Sequence, residues 1–224
     1  MTTPQDWCPS DSSSAAPEDT TQLAGDWIAD AIRNFGMQPW LLTGVLRNHF
    51  INHFASELSI EQKDLRHLLW RDAPETGILI ESTHRWTPEM TDKRPGLLIS
   101  RNTFRQLKLT IGSKSVLDRR GFQHYTCLKV GSHTVFCVAK SGTACEILAA
   151  EVDRELTQFG PEISRRLRLK RFQVLEVGPV SLLEEAQQHF AVSVTVASAH
   201  EESWRLEEHS RPTRDFNVRI LSQF

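Results

Sequence analysis

His49 and His53 stand four residues apart in a stretch with helical spacing, so both imidazoles could reach one divalent ion from a single helix face. A zinc peptidase of that design carries glutamate directly after the first histidine. Phe50 holds that position here, and no third ligand follows at a recognisable distance. The plainer reading is a polar fringe on a packed helix. A second group, Glu81, His84, Arg85, Glu89, Asp92, Lys93 and Arg94, crowds one loop. Carboxylates beside a histidine can do acid–base work. These have no fixed spacing on a regular element, which fits a solvated loop or a protein contact better. Gly112-Ser113-Lys114-Ser115 lacks the first glycine and the length of a phosphate loop. No Gly-x-Ser-x-Gly surrounds Ser82, Ser100 or Ser132. The expectation is therefore no catalytic residue, no cofactor and no metal.

The four cysteines, Cys8, Cys127, Cys137 and Cys145, form no C-x-x-C pair, which argues against structural zinc. If Gly131-Ser132 is the tip of a hairpin over Gln123–Ala139, Cys127 lies opposite Phe136 and Cys137 opposite Thr126. The two thiols then point to opposite faces, because side chains alternate along a strand. Free, partly buried thiols follow, the usual state in a reducing compartment.

A formal net charge of −2 over 224 residues lacks the basic excess of a dedicated nucleic-acid binder. The opening residues carry no basic segment followed by an apolar one, so a secretory leader is not expected. No apolar run approaches the roughly 20 residues of a bilayer span. A soluble protein made in the cytoplasm is the resulting expectation.

Residues 1–22, rich in Ser, Thr, Asp and Pro, read as disordered or as an arm that orders on a partner. Residues 23–76 read as a helical segment: Asp26–Phe35, then about Leu41–Leu58, then a third helix opened by a Ser59/Gln62 capping box. From Gly77 the period changes. Short strands are expected at Ile78–Ile80 and Gly96–Ser100, with another at Phe104–Ile111 before a contact-making loop at 112–121. The hairpin follows. A helix capped by Thr143 and Glu146 presents Cys145, Leu148, Val152 and Leu156 on one face, with Glu151, Arg154 and Glu155 opposite, and stops at Gly160-Pro161. A strand at 171–177 and a turn at Gly178-Pro179 come next. In 190–199, Phe190, Val192, Val194 and Val196 alternate with smaller residues, and the small-residue face is expected to receive the helix. Residues 207–224 read as a C-terminal arm with a short strand pattern at Phe216–Leu221. The fold class is α+β: a mainly antiparallel β-sheet packed by helices, with a helical N-terminal segment and flexible arms. Residues 77–206 make up the α+β unit.

Arg165, Arg166, Arg168, Lys170 and Arg171 form a basic cluster just after an acidic stretch. Three readings stay open: solvated charge, a contact between neighbouring copies, or phosphate neutralisation without base readout. Tryptophan favours interfaces, and Trp86 sits in a charged loop. The candidate contact residues are Trp86, Glu89, Asp92, Arg94, Glu151, Glu155, Arg165, Arg166, Arg168 and Arg171.

With these elements in order, the chain resembles the tail terminator and neck (head–tail completion) proteins of tailed bacteriophages. The resemblance lies in GILIES and KRPGLLI, in GSHTVFCVAKSG, in ACEILAAEVDRELTQFGPEI, and in RFQVLEVGPVSLLEE with HFAVSVTVASAHEESWRLEE. It covers roughly Gly77–Leu206. It implies a structural virion protein, not an enzyme, forming a ring, commonly sixfold, that terminates the tail or joins it to the connector. Its partners would be further copies of itself, neck and tail-tube proteins, and DNA passing through without sequence readout. The long helical segment and C-terminal arm depart from a minimal terminator. The competing readings are a small metal-dependent hydrolase or nuclease using Glu81, His84, Glu89 or His133, and a monomeric adaptor.

Overall fold

The computed structural model describes residues 39–72, 76–107, 116–117, 123–183 and 186–206. Along the chain come α1 (Pro39–His53), β1 (Leu79–Ser82), β2 (Gly96–Leu107), β3 (Val116–Leu117), β4 (Gln123–Ala139), α2 (Gly142–Arg166), β5 (Arg171–Val177), β6 (Ser181–Leu183) and β7 (Ala186–Leu206). Single 3-10 turns stand at Lys63–Leu65 and Pro88–Thr91. The described strands form one seven-stranded sheet in the order β1-β2-β4-β7-β5, with β3 pairing β4 and β6 pairing β7. Only β1 and β2 run parallel; every other pairing is antiparallel. The fold is α+β, a mainly antiparallel sheet packed by helices.

Period 2 decides the two faces. Leu97, Ile99, Val135, Cys137, Val192, Val194 and Val196 are buried on one face, in a single cluster with Leu42, Leu46 and Phe50 of α1 and Leu148, Val152 and Leu156 of α2. The cluster continues into Ile60, Leu65 and Leu68, so the helical segment and the sheet share one core. The other face holds a small cluster of Leu98, Val138 and Ala191, flanked by Leu79, Trp86, Phe136 and Leu183.

The hairpin expected at Gly131-Ser132 does not form. β4 runs unbroken for 17 residues and pairs with β7 throughout, from Gln123↔Leu206 to Ala139↔Phe190. Gly131 instead receives an aromatic ring: a Cβ there would lie 2.4 Å from Cγ of Phe104, its partner on β2. A register shift between Arg101 and Phe104 aims that ring. Cys127 therefore faces Glu202, not Phe136, and Cys137 faces Val192, not Thr126. Ten residues apart on one strand, the two thiols share a face. What keeps them unpaired is distance, roughly 33 Å at the usual rise per residue. Cys127, Cys137 and Cys145 are free and buried, and burial raises all three thiol pKa values, Cys145 to about 11.

Four further expectations are corrected. The valine face of β7 receives α2; the small-residue face looks the other way. Residues 59–62 build no helix, because the Glu61 and Gln62 amides donate to the Glu151 carboxylate at 2.9 and 3.2 Å, leaving one 3-10 turn. The N-cap of α2 is Ser141, without a side-chain cap, so no Thr143/Glu146 box forms. Gly160-Pro161 does not stop α2, which continues to Arg166 because Ile163 and the following Leu167 are buried in the core. The arm at 1–22, the helix at 26–35, most of the loop at 112–121 and the arm at 207–224 lie outside the described residues.

The end of α2 yields a stability prediction. Leu169 N–H donates to Ser164 O at 2.9 Å and Arg168 N–H to Arg165 O, a Schellman closure with Arg168 at φ 52°. A left-handed conformation costs a side-chain-bearing residue about 1 kcal/mol. Arg168→Gly should therefore raise unfolding stability by up to about 1 kcal/mol, read from urea midpoints at unchanged slope.

Candidate functional site: contact surfaces around a buried charge cluster

His49 and His53 share one face of α1, and Glu151 and Glu155 share the facing side of α2, each pair at i,i+4 spacing. The helices bring all four together. His53 Nε2 donates to Glu151 Oε1 at 3.0 Å, and His53 Nδ1 pairs with Glu155 Oε2 at 3.1 Å. His49 Nε2 sits 2.9 Å from Glu155 Oε1, an ion-pair distance without an aligned hydrogen bond. Burial opposes the charge on His53, but the two carboxylates outweigh it and raise its pKa. Burial likewise pushes Glu155 up, and the two imidazoles overcome it, holding that carboxyl down at about 2. The group is an internal clamp in which His53 meets a carboxylate at each ring nitrogen, while His49 Nε2 lies close to Glu155 without a hydrogen bond. Among the described residues, no group of three or more His, Cys, Asp or Glu side chains is placed to hold one metal ion.

Glu151 and Glu155, expected as exposed contacts opposite the apolar stripe, are thus corrected. They are 2 % and 7 % exposed and engaged inside the chain. Of their neighbours on α2, Arg154 is at the surface, paired with Glu61, which Gln158 also contacts.

The other candidates lie outside. Arg165 and Arg166 are exposed, and both reach Glu162. Charges near a helix C-terminus also favour the helix dipole. Arg168 and Arg171 are exposed as well, and Lys170 between them pairs with Glu201 at 2.8 Å. In the 84–95 loop, Glu89 is exposed and Asp92 Oδ1 stands 3.8 Å from His189 Nε2. Arg94 ties the loop down by donating to Met90 O and Thr76 O. Trp86 is half-buried against Leu98 and Phe136, with its indole N–H buried and unpartnered.

The residues named for a hydrolase are not brought together. Glu81 accepts from Arg47 at 3.3 Å, and His84 and Glu89 are exposed. His133 is buried under the start of α1, where its Nε2 lies 3.2 Å from Pro39 O and 3.0 Å from Thr43 Oγ1. Pro39 O can only accept, so Nε2 carries the proton. No hydrogen bond or ion pair among the described residues links these four side chains.

Three features escaped the sequence reading. His133, Ser198 and His200 are buried on the helix-side face near Phe104, each with a polar atom unpartnered. Alternation with Val135 and Cys137 would have turned His133 inward had β4 been read as one strand. Leu175, Val177 and Leu182 are 54 %, 47 % and 60 % exposed along β5 and β6. A groove of about 400 Å³ opens beside Trp86. No helix among the described residues is long and apolar enough to cross a membrane. Neither a protein-family model nor a curated protein matches the chain.

Proposed function

We propose that this protein is a structural virion component at the head–tail junction of a tailed bacteriophage, assembling as a ring that terminates the tail or joins it to the connector. The observation that carries this reading is the sheet edge formed by β5 and β6. It closes one side of the described sheet and leaves Leu175, Val177 and Leu182 open to solvent. An exposed edge with apolar side chains is a template for association with another chain. The exposed Arg165, Arg166, Arg168 and Arg171 lie just before and at the start of that edge; Glu162 offsets part of their charge, and the flank keeps a positive excess. A flank of one sign sets orientation between neighbours and steers their encounter. Contacts between different patches on identical subunits generate rings where the rotation closes. The element order resembling terminator and neck proteins supplies the station; the edge supplies the means.

The proposal rests on shape and association, so imaging tests it. Negative-stain images and native mass spectra of the purified protein should show closed rings of one copy number. A solitary subunit that carries stoichiometric divalent metal and hydrolyses a phosphodiester or ester would overturn it.

A further inference from the structure

We propose that α1 is mounted as an acid-operated hinge: protonation of the buried imidazoles beside Phe104 lets the first turn of α1 lift from the sheet, while its last turn stays clamped on α2. The device belongs to the single subunit, whatever that subunit assembles into.

The two ends of α1 are fastened by histidines in opposite charge states. At the start, His133 of β4 donates through Nε2 to Pro39 O at 3.2 Å, with Thr43 Oγ1 3.0 Å away. That bond needs only the one proton of a neutral ring. A second proton would land on Nδ1, which is buried and has no acceptor. The resulting charge would be stranded, and an unpaired buried ion is costly. At the other end, His53 presents each ring nitrogen to a carboxylate, Nε2 to Glu151 and Nδ1 to Glu155. Both nitrogens donate only in the imidazolium. Protons therefore loosen one end of the helix and hold the other.

A second imidazole shares the site at the start. The ring of Phe104 lies 5.7 Å from that of His133 and 6.3 Å from that of His200, centre to centre. His200 is buried, with Nε2 unpartnered. Among the described residues, neither imidazole has a carboxylate of its own. Arg101 stands opposite His133 on β2, and Lys129 stands opposite His200 on β4. Glu202, the acidic group near His200, is paired with Lys129. The titratable groups of α1 itself, Arg47, His49 and His53, are engaged with Glu81, Glu155 and Glu151. Nearby cations disfavour a further positive charge. Burial first, and then Arg101, bring His133 down to about 4. Once α1 lifts, the ring meets water and recovers its ordinary value of about 6.5. The lifted form binds the proton more tightly, so it gains as pH falls from 6.5 to 4.

Native-state hydrogen exchange on the full chain, at pH 7 and pH 4 and over a series of low urea concentrations, tests this. After correction for intrinsic exchange rates, the amides of Thr43, Gly44 and Val45 should lose protection about 100-fold on acidification. Urea should barely change their exchange, because a local opening exposes little surface. The amides of Val135 and Val194 should be better protected at both pH values and should lose protection with urea, as global unfolding requires. His133→Gln can donate to Pro39 O at any pH, so its first turn should lose far less protection at pH 4. First-turn amides that exchange at the pace and with the urea dependence of Val135 would overturn the hinge, leaving only a fold that weakens as a whole. A 100-fold loss that persists in His133→Gln would overturn it too. Should that variant fold poorly, the wild-type comparison decides alone.

Discussion

Replacing Glu151 by alanine should destabilise the protein by about 3–5 kcal/mol, because it removes one member of a buried charged group and strands the rest. Glu151 is 2 % exposed and accepts from His53 Nε2 and from the backbone amides of Glu61 and Gln62. Alanine leaves two amides unpaired beside the vacated space and leaves His53 with Glu155 as its remaining carboxylate partner. Each unsatisfied buried donor costs about 1–3 kcal/mol. Glu151→Gln keeps the volume and one acceptor oxygen, so it should lose less. Urea unfolding of wild type and both variants at pH 6 gives the comparison. Equal midpoints for wild type and Glu151→Ala would mean that the cluster is peripheral to stability.

Acid should weaken the fold well before the carboxylates titrate. Burial, assisted by the nearby Arg101 charge, lowers His133 from 6.5 to about 4, and the hydrogen bond to Pro39 O only partly offsets it. The unfolded state then binds more protons than the folded state between those values. Stability is therefore full above about pH 6.5 and falls as pH drops towards 4. At about 1.4 kcal/mol per unit the loss is about 3 kcal/mol. His200, lowered chiefly by burial, has the same sign. His53 has the opposite sign: its raised pKa gives a contribution that is full below pH 6.5 and lost as pH rises through the folded value. Glu155, held at about 2, contributes fully above about pH 4.5 and loses that only in stronger acid. Between pH 6.5 and 4 the His133 effect governs. Unfolding free energies at pH 7 and pH 4 should differ by about 3 kcal/mol less in His133→Gln than in wild type. A wild-type chain no more acid-sensitive than that variant would contradict the buried neutral imidazole.

What could be read from the residues follows from where the information sits. Strands rich in valine, isoleucine and aromatics declared themselves: β1 and β5 fall close to their expected places, and β7 contains the expected 190–199 but runs beyond it at both ends, from Ala186 to Leu206. The helix stripe of Cys145, Leu148, Val152 and Leu156 is buried as its spacing requires. Local signals failed where a distant group intervened. Gly131 looked like a turn because its partner, the Phe104 ring, sits 27 residues upstream. The amides of Glu61 and Gln62 looked like a helix start because the carboxylate that takes them is 90 and 89 residues away. Glu151 and Glu155 looked solvated because nothing nearby in sequence announces His49 and His53 on the facing helix. Both pairs have i,i+4 spacing, and that match was the one trace available. The groove beside Trp86 had no trace, since five separate strands and loops combine to line it.

The unbroken β4–β7 ladder has a mechanical consequence. Gln123 and Leu206 meet at the same end, so a tug on the chain after Leu206, directed away from β4, opens the ladder one rung at a time from that tip. A tug directed along the strands loads every rung together and meets far greater resistance. The molecule is stiff in one direction and peels in another, so the angle at which a tethered neighbour pulls decides whether this sheet holds firm or opens.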